Sequence, residues 1–323
     1  MVIEQVGLKT YAGISEEEIK KKDKLLSEIK QFEVPDAFVD DFLKKVNFKA
    51  MRDLFRRDFN KSGGNPDANF EILNRDRIVV LGKEGVARFG AVSSGLMYTP
   101  DADAIIINVP RLNEMFKDQS LNTTSILVQQ LFHEEGHFVD AGYVKRISDQ
   151  TAETQSGLHK ITIINKRVSH KFSVLNEAVN DLRARRLALE FIHATGLDLS
   201  RQDTEWLTDN YYVPQSDINF FVAIHLFYEI CHKIAFEVGV NEKTVEDSFT
   251  HAAFNGLKLY EKGTKMELDL DSIFGKRFTD QLGELNIGDS LGVVEFMRKF
   301  NLNGYEAKYR KYINEFLAKY KKK

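Results

Sequence analysis

Apolar residues recur at helical spacing along most of the chain. Ile19, Leu25, Leu26 and Ile29 follow the capping-box pair Ser15 and Glu18 and predict a first helix. A second helix is expected after Pro35, with Phe38, Phe42, Leu43, Val46, Met51, Leu54 and Phe55 as its apolar positions. The stretch KSGGNPDAN (61–69) has loop composition and predicts the boundary of this N-terminal piece. Strand signals then cluster between residues 70 and 110. Arg77–Leu81, Val86–Val92, Leu96–Thr99 and Ala104–Val109 are short and rich in β-branched or aromatic residues, and the turn-like PDAD precedes the last. They predict a small mixed sheet, mostly antiparallel, of three to five strands. From Leu112 onward the pattern predicts helices over 122–142, 169–195, 200–210, 216–238, 241–262, 277–285, 289–300 and 304–321. The fold class is therefore α+β and predominantly α. Its expected divisions are an N-terminal helical segment (1–62), a core (63–195) and a C-terminal helical lobe (196–323).

Composition narrows the function classes. A chain of 323 residues is long enough for two domains or one two-lobed unit. Its 45 Lys+Arg against 48 Asp+Glu leave a net charge of −3, so no global basic field points to nucleic acid. The single cysteine, Cys231, excludes an intrachain disulfide framework and any thiolate-only metal cage. Residues 1–30 lack the apolar core of a secretory signal. The expected location is cytoplasmic, or exported without a recognisable signal peptide, as a translocated effector would be. The most apolar window, 220–240, contains His225, Glu229, His232, Lys233 and Glu237 and predicts a buried helix, not a membrane span.

Residues 131–138 read LFHEEGHF, so His133, Glu134 and His137 form an H-E-x-x-H motif. On a helix, positions i and i+4 share a face, which lets both imidazoles bind one cation. Glu134, one residue along, is placed beside the position of a metal-activated water. Val128, Leu131, Phe132, Phe138, Val139 and Gly142 form an apolar stripe that would anchor this helix in the core. Hydrolysis at such a site needs a third protein ligand and an open fourth position.

Forty residues after His137 the chain reads VLNEAVNDLRARRL. Here it resembles the gluzincin metallopeptidases: Asn176-Glu177-Ala178-x-x-Asp181 is similar to the N-E-A-x-x-D element of the thermolysin-like members. The resemblance implies a zincin-like catalytic core with a small mixed sheet and a large helical lobe. It implies Zn²⁺ held by His133, His137 and Glu177, with Asp181 accepting a hydrogen bond from a ligand histidine, His133. It further implies a zinc metalloendopeptidase acting on a peptide or protein substrate, with Glu134 as general base. A looser similarity, to the lethal-factor-like peptidases and their Pro-Pro endopeptidase members, assigns a transition-state donor seven residues before the ligand Glu, where His170 stands. Positions 170, 174, 177 and 181 would share one helical face. Tyr211 or Tyr212 in DNYYVP is the alternative donor. In zincins the strand before the metal helix pairs with extended substrate, and AIIINV (104–109) is expected to be that edge strand. The resemblance spans roughly residues 100–195. It departs from pattern at Glu135, where these families carry an apolar residue. Either a buried cation faces Glu135 or the helix packs more openly there.

Other readings of the same residues are open. Glu-x-x-His also occurs at Glu190…His193 and Glu229…His232, and paired motifs of this kind build helical di-iron carboxylate oxidoreductases. A zincin-fold binding protein without catalysis is the second alternative. Cys231 lies in an apolar run and reads as an inert core thiol. The C-terminal segment 305–323 carries seven Lys/Arg against two Glu and reads as a docked terminal helix with a solvated basic tail, so no nucleic acid partner is expected.

Overall fold

The structure is a computed structural model that describes residues 16–62, 72–89, 94–116, 123–139, 142–148, 151–164, 167–197, 199–208, 218–255 and 270–302. The chain is α+β and predominantly helical, with a small mixed sheet. Helix α1 spans Glu16–Lys30. The second predicted helix is two: α2 (Ala37–Lys45) and α3 (Phe48–Lys61). Each has its own cap. Asp36 accepts from the amides of Phe38 and Val39, and the Asn47 side chain accepts from Ala50 N and starts α3.

The mixed sheet comprises β1 (Ile78–Leu81), β2 (Leu96–Thr99) and β3 (Ala104–Asn108), in the order β1-β3-β2. β1 runs parallel to β3, with Ile78 opposite Ile105; β2 runs antiparallel, with Leu96 opposite Ile107. Every residue of β1 and β3 is buried, because both faces of the sheet are covered. Two expectations are corrected here. AIIINV is not the edge strand: a run buried at all five strand residues belongs at the centre, and β3 occupies it. The open edge is β2, whose other residues are only half-buried. Residues 83–89 form helix α4 (Lys83–Phe89), not a strand, since Val86 reaches the core from a single helical turn without any ladder. On the far side of the sheet, Glu33 bridges Leu81 and Val34 N donates to Val80 O, which closes the edge of β1.

A second sheet, absent from the sequence pattern, follows the H-E-x-x-H helix. Strands β4 (Gly142–Ser148), β5 (Thr151–Ser156), β6 (His159–Ile164) and β7 (Arg167–Lys171) form an antiparallel meander. Gly157, at φ +57°, opens the two-residue loop between Ser156 and His159. The helix predicted from 169 therefore begins later. Phe172 takes a left-handed φ of 61°, turns the chain, and α7 runs Ser173–Thr195.

The other helices are α5 (Val109–Phe116), α6 (Thr123–Val139), α8 (Arg201–Thr208), α9 (Ile218–Val238), α10 (Glu242–Asn255), α11 (Leu270–Phe274), α12 (Phe278–Glu284) and α13 (Ser290–Lys299). The predicted 304–321 helix lies outside the described residues. α7 is the spine. Its Ala184, Leu187, Phe191 and Ile192 share one core with α2, α3, α6, α8 and one face of the mixed sheet. Its Val174, Leu175, Ala178 and Val179 share another with α9, α10 and α13. The second sheet face, through Val79, Leu81 and Ile106, packs with Leu26 and Ile29 of α1 and Val86 of α4. No described helix is long and apolar enough to cross a membrane.

Candidate metal centre

Helix α6 is buried nearly all round, so its polar residues face partners in place of water. His133 and His137 stand one turn apart, with Nε2 atoms 3.0 Å from each other. From α7, Glu177 Oε2 comes to 3.1 Å from His133 Nε2 and 3.4 Å from His137 Nε2. Among the described residues these three form the one group of His, Cys, Asp or Glu able to converge on a cation. Tetrahedral zinc, with bonds of about 2.0–2.1 Å, spaces its ligand atoms about 3.3–3.4 Å apart, and the observed triangle is close to that. The donor set, two imidazoles and one carboxylate, also suits zinc.

The electrostatics agree with the geometry. Burial alone would raise the Glu177 carboxyl, but the imidazoles of His137 and His133 outweigh it and hold it well below the usual range. Burial, the largest effect, depresses His133, yet the hydrogen bond to Glu177 together with the charges of Glu177 and Glu134 brings it above its ordinary value.

Glu134 is buried beside the group, and its Oε2 accepts a 2.6 Å hydrogen bond from the backbone N–H of Tyr98 on β2. Asp181 is buried close to His133, but its Oδ1 is 3.9 Å from His133 Nδ1, longer than a hydrogen bond. Its oxygens are taken instead by Gln129 Nε2 at 2.7 Å and Arg185 Nε at 2.6 Å. Asn180 lies on the His137 side, with Nδ2 3.3 Å from Nδ1 of the ring. His133 also meets the ring of Phe220 from α9 edge-on, centroids 5.5 Å apart.

The charges of Arg183 and Arg52 reach Glu135, but its two carboxylate oxygens have no hydrogen-bond partner among the described residues. The anticipated pairing with a buried cation is therefore not formed as a hydrogen-bonded ion pair. Glu135 is fully buried, and burial pushes its carboxyl well above the ordinary value against the pull of Arg183 and Arg52. Gly136 allows this approach of the two helices: a Cβ there would lie 2.4 Å from Arg183 Nη2.

His170 is not on the ligand helix. It is exposed on β7, so the shared helical face with Glu177 does not exist. Its Nδ1 is 3.0 Å from Nε2 of His159 on β6. His159, which the sequence reading passed over, is pushed down to about 4, first by burial and then by His170 and His137, against Glu177. The hairpin loop carrying it is tied to the ligand helix, because Leu158 N donates to Asn176 Oδ1 at 2.8 Å. The signal for this is Asn176 itself, the residue before Glu177. Tyr211 and Tyr212 lie outside the described residues. Of the other Glu-x-x-His pairs, Glu190 and His193 are exposed and Glu190 pairs with Arg57, while exposed His232 bonds Glu242 at 2.7 Å. Neither joins the α6–α7 group.

Comparison with known proteins returned no matching family model, no matching characterised protein and no matching solved structure.

Proposed function

We propose that the chain is a zinc-dependent endopeptidase. The observation that supports this reading is the convergence of His133, His137 and Glu177 from α6 and α7, with Glu134, the residue after His133, buried and holding one carboxylate oxygen on the edge strand. His133 Nε2, His137 Nε2 and Glu177 Oε2 would hold the ion. When bound, zinc supplies Lewis acidity, lowering the pKa of water toward about 7 and polarising a carbonyl. Glu134 takes a proton from the attacking water and returns it to the departing amine. The open edge of β2 lies on the side of the sheet where an extended peptide would pair. His159, next to Leu158 on the hairpin loop that bonds Asn176 beside Glu177, is the donor we assign to the developing oxyanion, in place of His170.

The test is metal analysis of the purified chain followed by cleavage profiling on a peptide library. Close to one zinc per chain is expected, lost in His133→Ala, His137→Ala and Glu177→Ala. Glu134→Gln should keep the metal and lose cleavage. Two irons per chain, or a Glu134→Gln protein within about tenfold of wild-type activity, would overturn the assignment, since general-base catalysis is worth about 10²–10⁴-fold.

A further inference from the structure

We propose that Lys22, Asp103 and Tyr98 form a latch that positions Glu134, with helix α1 as its outer anchor; the catalytic meaning of that position rests on the peptidase reading above. The ladder register carries the first step. Asn108 N donates to Gly95 O at 2.8 Å, which fixes 95/108 as a hydrogen-bonded pair of the β2–β3 ladder. Such pairs alternate, so Met97 and Thr99 bond β3 while Leu96 and Tyr98 turn their backbone groups to the open edge. The Tyr98 N–H therefore points away from β3, and it donates to Glu134 Oε2 at 2.6 Å. A short bond from an amide to a carboxylate is charge-assisted and directional.

Tyr98 is itself fixed at both ends. Its ring meets Phe138 edge-on at 5.6 Å, one residue beyond His137 on the metal helix. Its hydroxyl donates to Asp103 Oδ1 at 2.8 Å. Asp103 is buried and holds a φ of +44° in the turn between β2 and β3, a left-handed conformation that Asp adopts in turns. Lys22 braces it. Its ammonium donates to both Asp103 oxygens, at 2.9 and 2.8 Å, and to Pro100 O at 2.9 Å, so it closes the turn from outside. The ion pair is mostly withdrawn from solvent, with side-chain exposures of 25% and 5%, and is therefore weakly screened. The ladder to β3 fixes the register of β2, and the turn at Asp103 bears on where its far end, with Tyr98, sits over α6. A loosened turn shifts Tyr98, and with it the carboxylate that must meet water and leaving amine.

A turn clamp that only stabilised the fold would move neither kcat on its own nor one particular amide, and the test reads both. In the full zinc-loaded chain, Lys22→Met and Tyr98→Phe should keep bound zinc and hold KM within about twofold. Both should lower kcat by about 10–100-fold, the range expected when a catalytic group is misplaced by an ångström. Lys22→Arg should recover most of the loss. Site-resolved hydrogen–deuterium exchange gives a readout independent of activity. The Tyr98 amide should be protected in wild type and exchange faster in Glu134→Ala, Lys22→Met and Tyr98→Phe, while Met97 and Thr99 stay protected in all four. Equal Tyr98 exchange in wild type and Glu134→Ala would overturn the latch. So would Lys22→Met and Tyr98→Phe proteins with unchanged exchange. If the zinc-loaded chain cleaves no peptide, the peptidase reading fails by itself and the exchange comparison still decides the latch.

Discussion

Gly136→Ala should destabilise the protein, although helix propensity alone predicts a gain of about 1 kcal/mol for removing a glycine from a helix interior. The new Cβ would lie 2.4 Å from Arg183 Nη2, 2.9 Å from Asn180 Oδ1 and 3.2 Å from Asn180 Cγ. A long side chain usually yields to such a contact at small cost. Arg183 is poorly able to yield, being buried, with its guanidinium 4.7 Å over the Phe55 ring and facing the buried Glu135. Overpacking of this kind costs about 1–3 kcal/mol, so the net loss should be about 1 kcal/mol after the propensity gain. Asn180 transmits a second effect, since its displacement disturbs the contact to His137 Nδ1. Loss of an outer contact to a metal ligand lowers affinity by about 10–100-fold, and the lower end is expected here. Urea denaturation in the presence of chelator measures the first effect, and a chelator competition titration measures the second. A Gly136→Ala protein as stable as wild type, with unchanged zinc affinity, would refute the close α6–α7 approach as the basis of the site.

Two further perturbations test the polar interior. Asp181→Ala should cost about 3–5 kcal/mol in denaturant unfolding, because it strands buried Arg185 as well as Gln129; a loss below about 1 kcal/mol would show that Arg185 readily finds another partner. His225 on α9 is buried, stacked on Phe221, and burial pushes its pKa down to about 4 from the usual 6.5. The unfolded chain then binds a proton that the folded chain refuses between those values. Stability from this group is thus complete above about pH 6.5 and falls as pH drops toward 4, by about 2 kcal/mol between pH 7 and 5. His225→Phe should lack that share of the pH dependence, and parallel stability–pH curves for the two proteins would rule the assignment out.

What the sequence makes legible depends on where the information resides. His133 and His137 are visible because i,i+4 is a helical period, and Glu177 because its neighbours carry a recognisable pattern. Glu135 is visible as an anomaly in an apolar stripe, and it remains one in the structure, buried with the charges of Arg183 and Arg52 nearby but no hydrogen bond to its carboxyl among the described residues. The meander is invisible because strands such as TAETQS (151–156) have almost no apolar alternation; their stability comes from cross-strand pairing, which one strand's sequence does not contain. His170 was misplaced because helical periodicity runs backward past Ser173 without interruption. The break there is a backbone conformation at Phe172, made with no glycine or proline to announce it. The Tyr98–Glu134 bond is equally silent, since a main-chain N–H leaves no residue type behind.

The first three turns of α7 show why the legible part was the site. Asn176, Asn180, Asp181, Arg183 and Arg185 are all buried there, with Glu177 half-buried among them. Burying polar and charged groups in this number opposes folding unless partners meet them. The partners are specific: Leu158 N for Asn176, the two imidazoles for Glu177, His137 for Asn180, Gln129 and Arg185 for Asp181, and the face of the Phe55 ring for Arg183. An apolar seam between α6 and α7 would be at least as stable, as replacements of buried ion pairs by packed hydrophobic residues show in general. Stability therefore does not account for the seam. Local rules of this kind are broken mainly at functional sites, and α6 and α7 break them together along a stretch that includes the turns carrying His133, His137 and Glu177.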